Sequence, residues 1–358
     1  MSADTISSQT YLSIEARLND VNFRPSGFDY MRIFLAVSVV FWHSYCVSYP
    51  VSAAADAWAG PFGYVLAPIL PAFFALSGFL VFGSLERSQK LHKFLALRVI
   101  RIYPALIVEV LLSALVLGPI VTQFPLSDYF TDREFYVYFL NTIGWIHYLL
   151  PGVFLDNPMP KTVNVSMWTV PFELECYIIL AAFTVLGYLK VRSIAVLLFI
   201  AACAAVAIDL TFRGVDPTPL GHIHGRVLIL CFLAGTLVYK FREVIPYNVW
   251  LAVMCGAFTV FASRNEVLIY AMPIPMAYVV AFLGLMNPRR SVFVDSGDYS
   301  YGVYLYAAPI QQAVVWFLGD RNTWLLNAAV TLPIVTVFAI FSWHAVEKPF
   351  IKVKRHIR

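Results

Sequence analysis

Apolar residues fall in long blocks along most of this chain, and short polar segments rich in Lys and Arg separate the blocks. A helix needs about 20 mostly apolar residues to cross a hydrocarbon core. Ten segments approach that length, near 30–49, 62–84, 102–123, 166–188, 193–209, 226–240, 247–262, 267–286, 299–318 and 323–345. The pattern predicts an all-α, polytopic transmembrane helical bundle of about ten helices. An eleventh apolar stretch, 135–150, is broken by Asn141, Gly144 and His147 and reads as a re-entrant or surface helix within a long loop. The two halves of the chain show no repeat, which removes one pointer toward a transporter.

Composition strengthens this reading. Of the 358 residues 60% are hydrophobic and 13% charged, about half the charge of a soluble domain. Too few ionisable groups remain to cover a water-soluble surface. The net charge of +4 is explained by orientation and requires no nucleic-acid partner. With a cytoplasmic N-terminus, 18 Lys and Arg fall on the cytoplasmic side and 6 on the other. That asymmetry predicts both termini in the cytoplasm. The loop 124–165 then faces outward, with Asp128, Asp132, Glu134 and Asp156 outnumbering Arg133 and Lys161. Residues 1–24 read as a polar cytoplasmic segment without a cleavable signal, 25–350 as the transmembrane domain and 351–358 as a basic tail. Cys46, Cys176, Cys203, Cys231 and Cys255 lie in apolar runs without CxxC spacing and read as small core residues.

Ionisable side chains inside a bilayer are costly and mark candidate sites. Arg32 and His43 share the first predicted helix. Eleven residues at about 100° each return to within roughly 20° of the starting direction, so the two lie on one face about 16 Å apart. A desolvated, neutral imidazole can take a proton from a hydroxyl, and a guanidinium can hold phosphate or carboxylate. The alternatives are a histidine bonded between helices and an arginine reaching the interface beside Asp29, three residues away.

This Arg-x10-His spacing, within Gly27-Phe28-Asp29-Tyr30-Met31-Arg32 through Phe41-Trp42-His43-Ser44, resembles the opening of the acyltransferase 3 family of integral membrane acyltransferases. Further segments follow in that family's order. They are Phe73-Phe74-Ala75-Leu76-Ser77-Gly78-Phe79-Leu80, the RxxR segment Arg98 to Arg101 before Tyr103-Pro104, Trp168-Thr169-Val170-Pro171-Phe172-Glu173, Tyr299-Ser300-Tyr301-Gly302-Val303-Tyr304-Leu305, and Glu347-Lys348-Pro349. The resemblance runs from about residue 25 to 350. One departure stands out: where many members carry a His after the late Tyr-Leu pair, this chain has Tyr306, Ala307 and Ala308. No esterase-like domain is expected after the last helix.

The resemblance implies a transferase that moves an acyl group, usually acetyl, from cytosolic acetyl-CoA or another acyl-CoA to a sugar hydroxyl outside the membrane. No bound cofactor is implied, since the acyl-CoA is a substrate. The partners implied are that donor, a carbohydrate acceptor and the lipid bilayer of a bacterial inner membrane. The acceptor sugar, acetyl against succinyl, direct transfer against an acyl-enzyme, and oligomeric state stay open.

On this reading His43 is the general base, and Arg32 orients the donor or balances its phosphates. Arg98 and Arg101 bind the phosphates of CoA, or else only anionic lipid. Glu173 orients His43 or holds an acceptor hydroxyl, or else pairs with a buried base. Asp29 and Trp168 belong to the matching motifs and join the substrate-binding set. Arg226, with Phe232 and Gly235, resembles an Arg…Phe-x-x-Gly pattern and can hold an anionic sugar. Ser77-Gly78 reads first as a close helix contact. His222 and His224, without Cys or a third ligand nearby, are not expected to bind a metal. The competing reading is a transporter or exporter of a lipid-linked saccharide.

Overall fold

The computed structural model describes residues 12–88, 90–213 and 223–353. Each of the ten apolar blocks contains a helix. They are α1 (Gly27–Ser48), α2 (Ile69–Ser88), α3 (Leu91–Leu112), α4 (Val170–Val185), α5 (Arg192–Arg213), α6 (Gly225–Lys240), α7 (Val249–Ala262), α8 (Pro273–Gly284), α9 (Ser300–Leu318) and α10 (Trp324–Phe341). Among the described residues β-structure is limited to isolated bridges. The protein is an all-α helical bundle of the membrane type.

Six helical stretches are long and apolar enough to cross a membrane: Gly27–Ser48, Phe62–Ser88, Leu91–Val121, Val165–Val185, Arg192–Asp209 and Trp324–Lys352. The remaining blocks differ from the uniform spans expected. α7 and α8 are apolar, yet only 14 and 12 residues long. At 1.5 Å per residue they reach roughly 20 Å, short of a hydrocarbon core of about 30 Å. α6 has 16 residues, of which 14 are buried. Protein surrounds it rather than lipid, because α2, α4, α5 and α8 all pack on it.

The seam between α2 and α6 explains two of the sequence motifs. A Cβ on Gly78 would lie 1.9 Å from the Phe232 carbonyl oxygen, and one on Gly235 would lie 2.1 Å from that of Ala75. Backbone meets backbone there, and only glycine allows it. A second group, α1, α9 and α10, packs beside this core, joined to it through contacts of α1 with α2 and α8.

Residues 122–164 fold into a cap at the His43 end of α1. The expected surface helix over 135–150 is shorter than predicted. It runs as Arg133–Tyr138 with a 3₁₀ turn, Phe139–Ile143, and stops at Gly144, whose φ is +83°. Asn141 then holds the turn, donating from Nδ2 to the carbonyls of Tyr138 and His147. Asn157 and Gln312 tie the cap to α9: Asn157 Nδ2 donates to Gln312 Oε1 at 2.7 Å, and Gln312 Nε2 donates to the Met159 and Thr162 carbonyls. Cys46, Cys176 and Cys231 are buried and Cys203 and Cys255 half-buried, all as free thiols.

Candidate active site

Polar side chains of α1 through α4 and α9 turn toward a cavity of about 160 Å³ lined by Arg32, Arg98, Arg101, Glu173, Ser77 and Tyr177. Glu173 and Tyr177 on α4, and Thr169 at its N-cap, stand four residues apart and all face it, as helical periodicity requires. Glu173 accepts a hydrogen bond from the Tyr177 hydroxyl. The two motif arginines are in different states. Arg101 is committed to carboxylates, with Asp298 and Glu347 each at 2.8 Å. Arg98 makes no ion pair among the described residues. Its guanidinium lies 5.8 Å from the ring centres of Phe94 and Tyr177, and its Nε is buried without a partner.

Asp298 is a site residue that sequence reasoning missed. Its Oδ2 accepts from Arg101 and, at 3.2 Å, from Arg32, while Oδ1 accepts from Ser300 at 2.6 Å. Burial works against its charge, but Arg101 and Arg32 prevail and hold the carboxyl at about 2. Arg32 also reaches Asp29 at 3.3 Å, and Asp29 is in turn bound by Arg290. Asp29 thus orders Arg32, and it does not line the cavity. The available signal was an acid immediately before α9 on the strongly basic side of the bundle.

A second cavity, of about 150 Å³, lies farther along the same face of α1. His43, Trp42, Trp58, Trp168 and Tyr148 line it, with no charged side chain among the described residues. The Trp42 and Trp58 rings are 5.7 Å apart, and Arg264 secures the Trp58 segment by donating to the carbonyls of Trp58, Ala59 and Gly60. The 3₁₀ turn Val165–Thr169 stands between the cavities. Val165 and Trp168 face the aromatic one and Thr169 the basic one. Leu70 lines both. Arg32 and His43 therefore share one face, as their spacing predicts, and open into adjoining chambers.

The model of the acyltransferase domain family Acyl_transf_3 matches residues 26–344, nearly all of the chain. The chain belongs to this acyltransferase family. It is 26% identical over 341 residues to the O-acetyl transferase of Shigella phage Sf6, covering 92% of this chain and 96% of that one. It is 25% identical over 355 residues to Nodulation protein 10 of Rhizobium leguminosarum bv. viciae, covering 92% and 94%. No solved structure matches it.

The family signposts of the acyltransferase thus converge on two chambers, and two expectations change. Glu173 does not orient His43: it opens into the basic cavity, and the Nδ1 of His43 faces Ser166 Oγ at 3.2 Å. Trp168 and Thr169 are successive residues of the 3₁₀ turn, where one step turns a side chain by about 120°, and this separates Trp168 from the Thr169–Glu173 stripe. Arg226 is paired with Glu175 and lines neither cavity. His224 accepts through Nδ1 from the Arg226 backbone N–H and caps α6, while His222 lies outside the described residues.

Proposed function

We propose that this membrane acyltransferase moves an acyl group, acetyl by preference, from cytosolic acyl-CoA to a hydroxyl of an extracytoplasmic or lipid-linked saccharide in the bacterial inner membrane. The observation that carries the reading is Leu70, shared by a chamber rich in arginine and a chamber holding His43. A charged donor and a hydroxylated acceptor can each enter the chamber suited to it and meet at this boundary.

On this reading Arg98, which makes no ion pair among the described residues, takes a donor phosphate, and Arg32 adds positive charge nearby. Arg101 organises the arginines by binding Asp298 and Glu347. The rings of Trp42, Trp58 and Trp168 offer apolar faces to a sugar ring. With Nδ1 of His43 committed to Ser166, Nε2 is the ring nitrogen left to the cavity that this histidine lines. As general base it takes the hydroxyl proton while the oxygen attacks the thioester carbonyl; the C–S bond breaks, and the thiolate leaves to be protonated as CoA. A positioned base of this kind supplies roughly 10²–10⁴-fold. Family membership displaces the exporter reading.

The test is the O-acyl content of surface polysaccharide, read by proton NMR in cells lacking the gene, cells re-supplied with it, and cells given His43→Ala at equal membrane level. Acyl signals lost on deletion, restored by the wild type and absent with His43→Ala support the reading. Unchanged acylation in all three overturns it.

A further inference from the structure

We propose that Ser166 is a positioning residue for His43, and that Asn164 and Glu109 hold Ser166 in place. The inference rests on His43 acting as the base. Glu109, in the last turn of α3, is fully buried and makes no ion pair among the described residues. Its Oε1 accepts from Ser113 Oγ and from Asn164 Nδ2, both at 2.8 Å. A buried carboxyl group is costly unless hydrogen-bonded; here Oε1 carries both bonds and Oε2 has no partner among the described residues.

What it orders is an amide. Asn164 Nδ2 has two hydrogens, one given to Glu109 and the other to the Leu305 carbonyl at 2.9 Å. Turning the amide over would set its oxygen against two acceptors. Asn164 Oδ1 must therefore face the Ser166 N–H, which it accepts at 3.1 Å as the cap of the 3₁₀ turn. Tyr304 secures the same residue from the other side, donating its hydroxyl to the Ser166 carbonyl at 2.8 Å. With its backbone held at both ends, Ser166 presents Oγ to His43 Nδ1.

The hydroxyl can accept Nδ1–H, which leaves the Nε2 lone pair facing the aromatic cavity. It remains an acceptor once Nε2 has taken a proton and both ring nitrogens carry hydrogen. This is the part a carboxylate plays behind the histidine of hydrolytic triads, here given to a serine in an apolar setting. The sequence offered little sign of it, because Ser166 and Asn164 precede the Trp168-Thr169 signpost and Glu109 belongs to none.

The test measures transfer by full-length protein in proteoliposomes, with acetyl-CoA as donor and the polysaccharide acceptor identified by the NMR comparison. Ser166→Ala and Ser166→Cys should lower kcat about 10- to 100-fold with both KM values unchanged, while Ser166→Thr, which keeps the hydroxyl, stays within about threefold. Glu109→Gln keeps an acceptor oxygen and should remain active, whereas Glu109→Leu should match Ser166→Ala. In a His43→Ala background Ser166→Ala should change nothing further. A Ser166→Ala protein with wild-type kcat overturns the inference, as does an inactive Glu109→Gln that folds normally. Full transfer by His43→Ala sinks the base assignment itself; an inactive His43→Ala beside an active Ser166→Ala sinks only the positioning role.

Discussion

Arg32 and Arg101 hold the same oxygen of Asp298, at 3.2 and 2.8 Å, although they stand on different helices. One carboxylate thereby keeps two like charges together at the rim of the basic cavity. An uncharged amide in its place would leave each guanidinium with one carboxylate partner, Asp29 or Glu347. Asp298→Asn should cost about 2 kcal/mol, scaled down from a fully buried pair because the side chain is 25% exposed. The protein purified in detergent should melt several degrees lower. An unchanged melting temperature would show that the shared oxygen contributes nothing.

The same carboxyl sets an acid limit. Held at about 2 in the folded protein against an ordinary value of 3.8, Asp298 stabilises the fold at pH values above the ordinary one. That contribution is lost as pH falls from about 4 toward 2. Melting temperatures recorded across this range should fall more steeply for wild type than for Asp298→Asn; identical slopes would count against the assignment.

Arg98 and Arg101 look equivalent as an RxxR pair, yet the structure separates their roles. Arg98→Ala should raise the KM for acyl-CoA about tenfold or more with little loss of folded protein, as expected when one phosphate contact worth about 1.4 kcal/mol is removed. Arg101→Ala should instead lower the yield and melting temperature, because it leaves Glu347, 1% exposed at its side chain, without its cation. Measuring both quantities for both variants decides the matter, and equal effects on donor KM would refute the division.

These contrasts show what was legible in the sequence. Helix positions were, because hydrocarbon demands long apolar blocks and the polar joints between them are plain. The Arg32–His43 stripe was, since a single helix fixes the angle between its own residues. The partners of those residues were not. Asp298, Glu347 and Ser166 reach the site from the start of α9, the π-helical turn Ser342–Glu347 after α10 and the edge of the cap, and such pairings depend on how helices pack rather than on any local spacing. Glu173 was misplaced for a related reason: the direction it faces depends on the rotation of α4, which the 3₁₀ turn before it sets.

Leu70 gives the most direct test of two chambers working as one site. It is a side chain common to both, and neither the arginine cluster nor His43 bonds to it. Leu70→Trp adds bulk at the boundary and leaves the groups that hold donor and acceptor intact. Such overpacking costs about 1–3 kcal/mol of stability. If the acyl group passes this point, kcat should fall at least tenfold while acetyl-CoA still binds with near wild-type affinity, measured by calorimetry on the detergent-purified protein. Leu70→Ala, which widens the boundary, should keep most of the activity. A Leu70→Trp protein that transfers acetyl at the normal rate would mean that the chambers do not communicate here, and the donor would have to reach His43 by another path.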